Sequence, residues 1–67
     1  MANNMWEKVD GMARQIASLT MDLGSIDEAV ETARALNRET HDAAQLDAGE
    51  KRGRALVASR QRRAYNG

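Results

Sequence analysis

Large apolar residues recur along the first half of the chain with spacings that alternate between four and three residues. This heptad spacing is typical of one face of a helix that packs against another helix. The stripe consists of Met5, Val9, Met12, Ile16, Leu19, Leu23, Ile26 and Val30. It continues weakly through Ala33, Asn37, Thr40 and Ala44. The pattern predicts helices, and β-branched residues do not alternate along the chain as they would in strands.

A possible break interrupts the stripe at Gly24 and Ser25. Gly is well suited to the left-handed residue just past a helix end, and Ser25 followed by Glu28 forms an S-x-x-E capping box. The heptad phase nevertheless runs from Leu23 to Ile26 without a slip, which is typical of one long, kinked helix. We favour a helix over residues 4–23, a break, and a second helix over about 26–46.

A parallel two-stranded coiled coil is a poor match to the positions beside the stripe. In its register, Asp22 of one chain would face Asp27 of the other, which places two like charges together. Ala13, Ala29 and Leu36 also widen the apolar face beyond a dimer seam. The sequence therefore disfavours a simple parallel homodimer.

The chain changes character after Leu46. Asp47 and Glu50 form a second candidate capping box, and Gly49 and Gly53 weaken helix formation there. A short basic helix is expected to run to about residue 64, anchored by the apolar run Ala55, Leu56, Val57 and Ala58. The predicted fold class is all-α, with a helical hairpin or kinked helix followed by this basic helix.

The apolar residues that could cover the stripe from within are few and small. Twelve residues of the chain are alanine and none is phenylalanine, and Leu36 is the only bulky apolar residue between Ala33 and Leu46. A domain of about 60 residues buries only about 60% of its unfolded surface, and this chain has no cysteine for a disulfide. We therefore expect an oligomer or a subunit embedded in a larger assembly, with a protein interface at Met5, Trp6, Val9, Met12, Ile16, Leu19, Leu23, Ile26 and Val30.

Charge divides the chain into an acidic region, residues 1–50, and a basic region, residues 51–67. The first holds all ten acidic residues and four basic ones, and the second holds six basic residues and no acidic one. These six are Lys51, Arg52, Arg54, Arg60, Arg62 and Arg63. They could pair with the acidic region of the same or a neighbouring chain, bind an acidic protein, or contact nucleic-acid phosphates.

Candidate chemistry is sparse. His41 is the one histidine, and without a second His or a Cys it cannot build a zinc site of the usual kind. We expect no enzyme activity, no metal, no cofactor and no small-molecule substrate. No apolar run approaches the roughly 20 residues that span a bilayer, and the N-terminus lacks the pattern of a secretory signal. The expected location is the cytoplasm or a viral particle.

Three functions remain open from the sequence. The first is a non-enzymatic structural or assembly protein, for which a minor bacteriophage virion component is a concrete candidate. The second is a regulatory nucleic-acid-binding hairpin dimer that uses the basic residues from Lys51 to Arg63. The third is an inhibitor that lays a helix in a partner's groove.

Overall fold

The structure, a computed structural model, describes residues 4–66, and the side chains of residues 6–63 among them. Three α-helices make up the fold: α1 (Asn4–Leu23), α2 (Ile26–Asn37) and α3 (Ala43–Asn66). No strand occurs within the described residues. The Cα atoms span 37 × 26 × 15 Å, and the shortest dimension corresponds to two layers of helices. The protein is therefore all-α, as the sequence predicts.

The link between α1 and α2 consists of Gly24 and Ser25, where the sequence favours a break. Gly24 has a φ of 74°, a left-handed conformation that disfavours other residues, and its N–H donates to the Thr20 carbonyl at 2.9 Å. Ser25 has an extended backbone, and its hydroxyl oxygen accepts a hydrogen bond from the Glu28 N–H at 3.3 Å. The two residues thus end one helix and cap the next.

The second helix is shorter than the predicted span of 26–46 because α2 ends at Asn37. The Asn37 carbonyl accepts from the N–H groups of Thr40 and His41, which closes a turn. Asp42 then caps α3: its carboxylate accepts from the Gln45 N–H at 2.8 Å, and the Gln45 side chain accepts from the Asp42 N–H at 2.9 Å. This reciprocal capping box starts a new helix at Ala43, three residues before the expected one would have ended.

The third helix is longer than the short basic helix that we expected, and the boundary between residues 50 and 51 falls within it. Asp47 and Glu50 lie inside α3 instead of capping a helix. Gly49 and Gly53 do not interrupt α3, because both are buried against α1. A Cβ atom at Gly49 would lie 2.5 Å from the Met12 sulfur, and one at Gly53 would lie 2.7 Å from Ile16 Cδ1.

The core forms where α1 meets both other helices, and its contact with α3 is the more extensive. Its buried members are Val9, Met12, Ala13, Ile16, Ala17, Ala29, Val30, Ala33 and Val57. Leu19, Ile26, Leu46 and Leu56 pack against it and are partly buried. Among the described residues, no buried side-chain nitrogen or oxygen atom lacks a hydrogen-bond partner. No helix in the described range is long and apolar enough to cross a membrane.

Candidate interaction surfaces

The heptad stripe is largely covered by the chain itself. Val9, Met12, Ile16 and Val30 are buried. We expected the second helix, with its small residues after Ala33, to leave part of the stripe uncovered; these four members are nevertheless buried, because bare glycine backbone lets α3 come close to α1. These four side chains are thus already occupied, and a partner would have to meet other residues.

The remaining members of the predicted interface divide into two groups. Leu19 and Ile26 are partly buried against the core. Trp6 is 51% exposed and Leu23 is 44% exposed, so both present apolar surface to the outside. Met5 lies outside the residues whose side chains the structure describes.

Two further large apolar side chains are exposed although they do not belong to the stripe. Met21 is 81% exposed and Leu36 is 63% exposed. Met21 lies one turn of α1 beyond Ala17, and Leu36 lies near the end of α2. Neither was assigned to the predicted interface, because a residue beside a stripe is buried or exposed according to where the third helix packs.

Two of the six basic residues of the C-terminal region pair within the chain. Arg52 forms a salt bridge with Asp10 of α1. Arg54 lies 3.0 Å from the Asp27 carboxylate of α2 and 3.1 Å from that of Glu50. Hydrogen bonds to Asp27 and then Glu50 raise the pKa of Arg54 above its ordinary value. The acidic and basic regions of one chain thus meet across the helices, which is one of the alternatives left open by the sequence.

The other four basic residues, Lys51, Arg60, Arg62 and Arg63, are exposed. None of them forms a salt bridge within the described part of the chain. Arg14 of α1, which sequence reasoning missed, shares this property and lies close to Arg60 in the same cavity lining. A set of uncompensated cations therefore lies along α3 and the adjoining face of α1.

A groove runs between α1 and α3, and we call it the α1–α3 groove. It contains two adjoining cavities of about 340 and 190 Å³, both bordered by Arg60. The apolar lining consists of Ala13, Ala17, Leu56, Val57 and Met21, and the polar lining consists of Asp10, Arg14, Thr20, Arg52, Arg60 and Gln61. The groove is thus an apolar channel with arginines along its rim, and α2 contributes nothing to its lining.

The outward face of α2 has the opposite charge. Glu28, Glu31, Ala35 and Leu36 are all exposed, and so are Arg38 and Glu39 just past the helix. None of the three glutamates forms a salt bridge within the described residues. We call this surface, residues 28, 31, 35, 36 and 39, the acidic α2 face.

Hydrogen bonds hold the His41 ring between α1 and the α2–α3 loop. Its Nε2 lies 3.2 Å from the Lys8 carbonyl, and its Nδ1 lies 2.8 Å from the Thr40 hydroxyl. Since a carbonyl can only accept, Nε2 carries the proton that it donates to Lys8. Lys8 Nζ also donates to the Thr40 carbonyl at 2.8 Å. These bonds tie the α2–α3 loop to α1, and no group of three metal-ligating residues occurs in the described range.

Comparisons with protein families, with curated proteins and with solved structures yield no match to this chain. Function must therefore be inferred from the surfaces described above.

Proposed function

We propose that this protein is a non-enzymatic helical assembly subunit that acts by binding protein surfaces, either copies of itself or a larger complex. The observation that supports this best is the apolar surface left over once the chain has built its own core. Trp6, Met21, Leu23 and Leu36 are exposed, and the α1–α3 groove is open. Contiguous exposed apolar surface is typical of interaction sites, and the groove places the exposed Met21 beside Ala17 and Val57.

Trp6 is the side chain of the predicted interface that best suits a binding anchor. Trp is enriched among residues that dominate binding energy, since its large ring buries much area for little conformational entropy. A bacteriophage virion is the setting that we propose for the larger assembly, because a minor virion component of this size needs to supply only binding surface.

The native mass across a concentration series tests this function. We expect the species to exceed the 7.4 kDa of one chain at micromolar concentration, or the protein to fractionate at fixed stoichiometry with a large particle. Trp6→Ala is expected to weaken the association, whereas Lys51→Ala, an exposed change on α3 outside the lining of the α1–α3 groove, should leave it unchanged. A single 7.4 kDa species at every concentration, with nothing fractionating beside it, would contradict the proposal.

A second candidate is nucleic-acid binding through the C-terminal end of α3. It is favoured by one observation: Arg60, Arg62 and Arg63 are exposed, and none of the described acidic groups pairs with them. Such cations would bind phosphates with an affinity that falls steeply with salt. Retention on DNA or RNA that depends on salt would favour this function if it is lost when all three arginines are changed to Ala. Changing Arg38 and Lys51 to Ala should leave that retention in place.

A further inference from the structure

The rim of the α1–α3 groove calls for a negatively charged occupant. Arg14 and Arg60 are exposed and pair with no described acidic residue, while Arg52 is neutralised by Asp10. Closing such a groove with an apolar surface alone would strip water from two arginines without giving them a partner, which is unfavourable. An occupant therefore has to bring carboxylates as well as apolar side chains.

The floor of the groove calls for small and medium apolar side chains. Ala13, Ala17 and Val57 form a floor that the chain already buries, while Leu56 and the exposed Met21 supply apolar walls. Three of the six residues that line the second cavity, Ala17, Met21 and Val57, are apolar. This combination suits the face of an amphipathic helix in which one projecting apolar side chain is flanked by acids.

The acidic α2 face of the same protein has this chemistry. Leu36 projects from it and Ala35 leaves room for close approach, while Glu28, Glu31 and Glu39 supply carboxylates that pair with no described cation. The lengths also agree. At 1.5 Å per residue, the groove runs about 16 Å along α1 from Asp10 to Met21, and α2 is about 18 Å long.

We propose that the acidic α2 face of one copy docks in the α1–α3 groove of the next copy, so that the protein assembles head to tail. This inference rests on the proposed function and names the partner as a second copy. No residue of α2 lines the groove, so each copy carries both complementary surfaces at different places. Such a contact is heterologous and leads to an open filament or to a closed ring. The formal net charge of zero adds no overall repulsion between copies.

Charge reversal on each surface tests the proposal. The groove variant carries Arg14→Glu with Arg60→Glu, and the helix variant carries Glu28→Lys with Glu31→Lys. All four positions are exposed, and far-UV circular dichroism checks that each variant folds. Because either variant brings like charges together, we expect each to weaken self-association by about 100-fold, as measured by sedimentation velocity. Lys51→Glu with Arg62→Glu, which changes the net charge as the groove variant does, is the matched control and should still assemble.

Mixing the two variants gives the decisive result. Each surface in the mixture then finds an oppositely charged surface on the other variant, so an equimolar mixture is expected to regain the assembly of the wild type. A groove-to-groove contact between two copies would give a different result. In that case the helix variant alone would associate normally, and the mixture of variants would form nothing larger than a dimer.

The remaining outcomes separate this inference from the proposed function. Wild-type assembly that neither variant weakens would overturn the head-to-tail contact and leave the assembly function standing through another surface such as Trp6. The head-to-tail contact would also be overturned if the wild-type protein stayed a single chain but bound a larger particle. The same conclusion would follow if the wild type and the helix variant bound nucleic acid and the groove variant did not. A wild-type protein that is monomeric and binds nothing would refute both.

Discussion

Gly49 and Gly53 set the distance between α1 and α3. Spaced four residues apart, they present bare backbone to Met12 and Ile16, and both are buried. Glycine lowers helix stability by about 1 kcal/mol relative to alanine, so these two residues weaken α3 as an isolated helix. Close packing against α1 offsets that cost in the folded protein.

Gly53→Ala is expected to destabilise the protein by about 1–2 kcal/mol. The new Cβ would lie 2.9 Å from Ile16 Cβ, an atom next to the backbone that cannot move away easily, and such overpacking outweighs the gain in helix propensity. Urea unfolding followed by circular dichroism measures the change in the free energy of unfolding.

Gly11→Ala is the matched control for that substitution. Gly11 also lies in a helix, but nothing lies within 4 Å of the position of its Cβ, so this change is expected to stabilise the protein by roughly 0.5–1 kcal/mol. Equal effects of the two substitutions would show that α1 and α3 are not in close contact at Gly53.

At the scale of elements, short-range capping determines where helices end, and some of these ends could be predicted from the sequence while others were misplaced. The bounds of α1 and the start of α2 could be predicted, because Gly24 and the Ser25–Glu28 box are local signals of known chemistry. The end of α2 was misplaced because the Asp42-x-x-Gln45 box, an equally local signal, was overlooked in favour of Asp47 and Glu50.

Asp42→Ala is expected to lower the free energy of unfolding by about 1 kcal/mol through loss of the α3 cap. For a domain of this size, that change lowers the melting temperature by about 4–8 °C. Asp22→Ala is the control, since Asp22 is exposed near the C-terminal end of α1 and has no hydrogen bond from its side chain to any other described residue. If both variants melted at the same temperature, the capping role of Asp42 would be refuted.

Arg34 connects α2 to α3, because one of its guanidinium nitrogens lies 3.1 Å from Asp47 and 3.0 Å from Glu50. Arg34→Gln is expected to destabilise the protein by about 0.5–1 kcal/mol, since the pairs are partly exposed to water. The loss should shrink in 1 M salt, where charges are screened within about 3 Å. Arg38→Gln, one turn further along and without a described ion pair, should change stability little at either salt concentration. A loss for Arg34→Gln that is independent of salt would argue against an electrostatic link.

At the scale of the whole molecule, the sequence predicted the all-α class but not which surface is left uncovered. The heptad stripe correctly marked one apolar face of α1 and α2, and four of its members are core residues. The cover over these four residues could not be predicted, because small residues were judged only by the area that their side chains can cover. Gly49 and Gly53 cover little themselves, yet they bring the backbone of α3 onto Met12 and Ile16.

The candidate surfaces were less predictable still. Arg14 and Met21 can be recognised as groove residues only when α3 is placed beside α1, because the groove is formed by residues about 40 positions apart in sequence. Of the six basic residues proposed as contacts, Arg52 and Arg54 were found to pair internally. Which cations remain uncompensated depends on tertiary structure, and the amino-acid composition does not reveal it.

The glycine contact also bears on how the molecule loses its structure. The α3 helix carries two glycines on its packed side, and its few bulky apolar residues are widely spaced. It is therefore expected to lose its helical structure once it separates from α1. Detachment of the C-terminal third would simultaneously wet the Met12 and Ile16 side chains and remove the cover from the hairpin. We therefore expect the chain to melt in a single all-or-none step, with no half-folded hairpin persisting on its own.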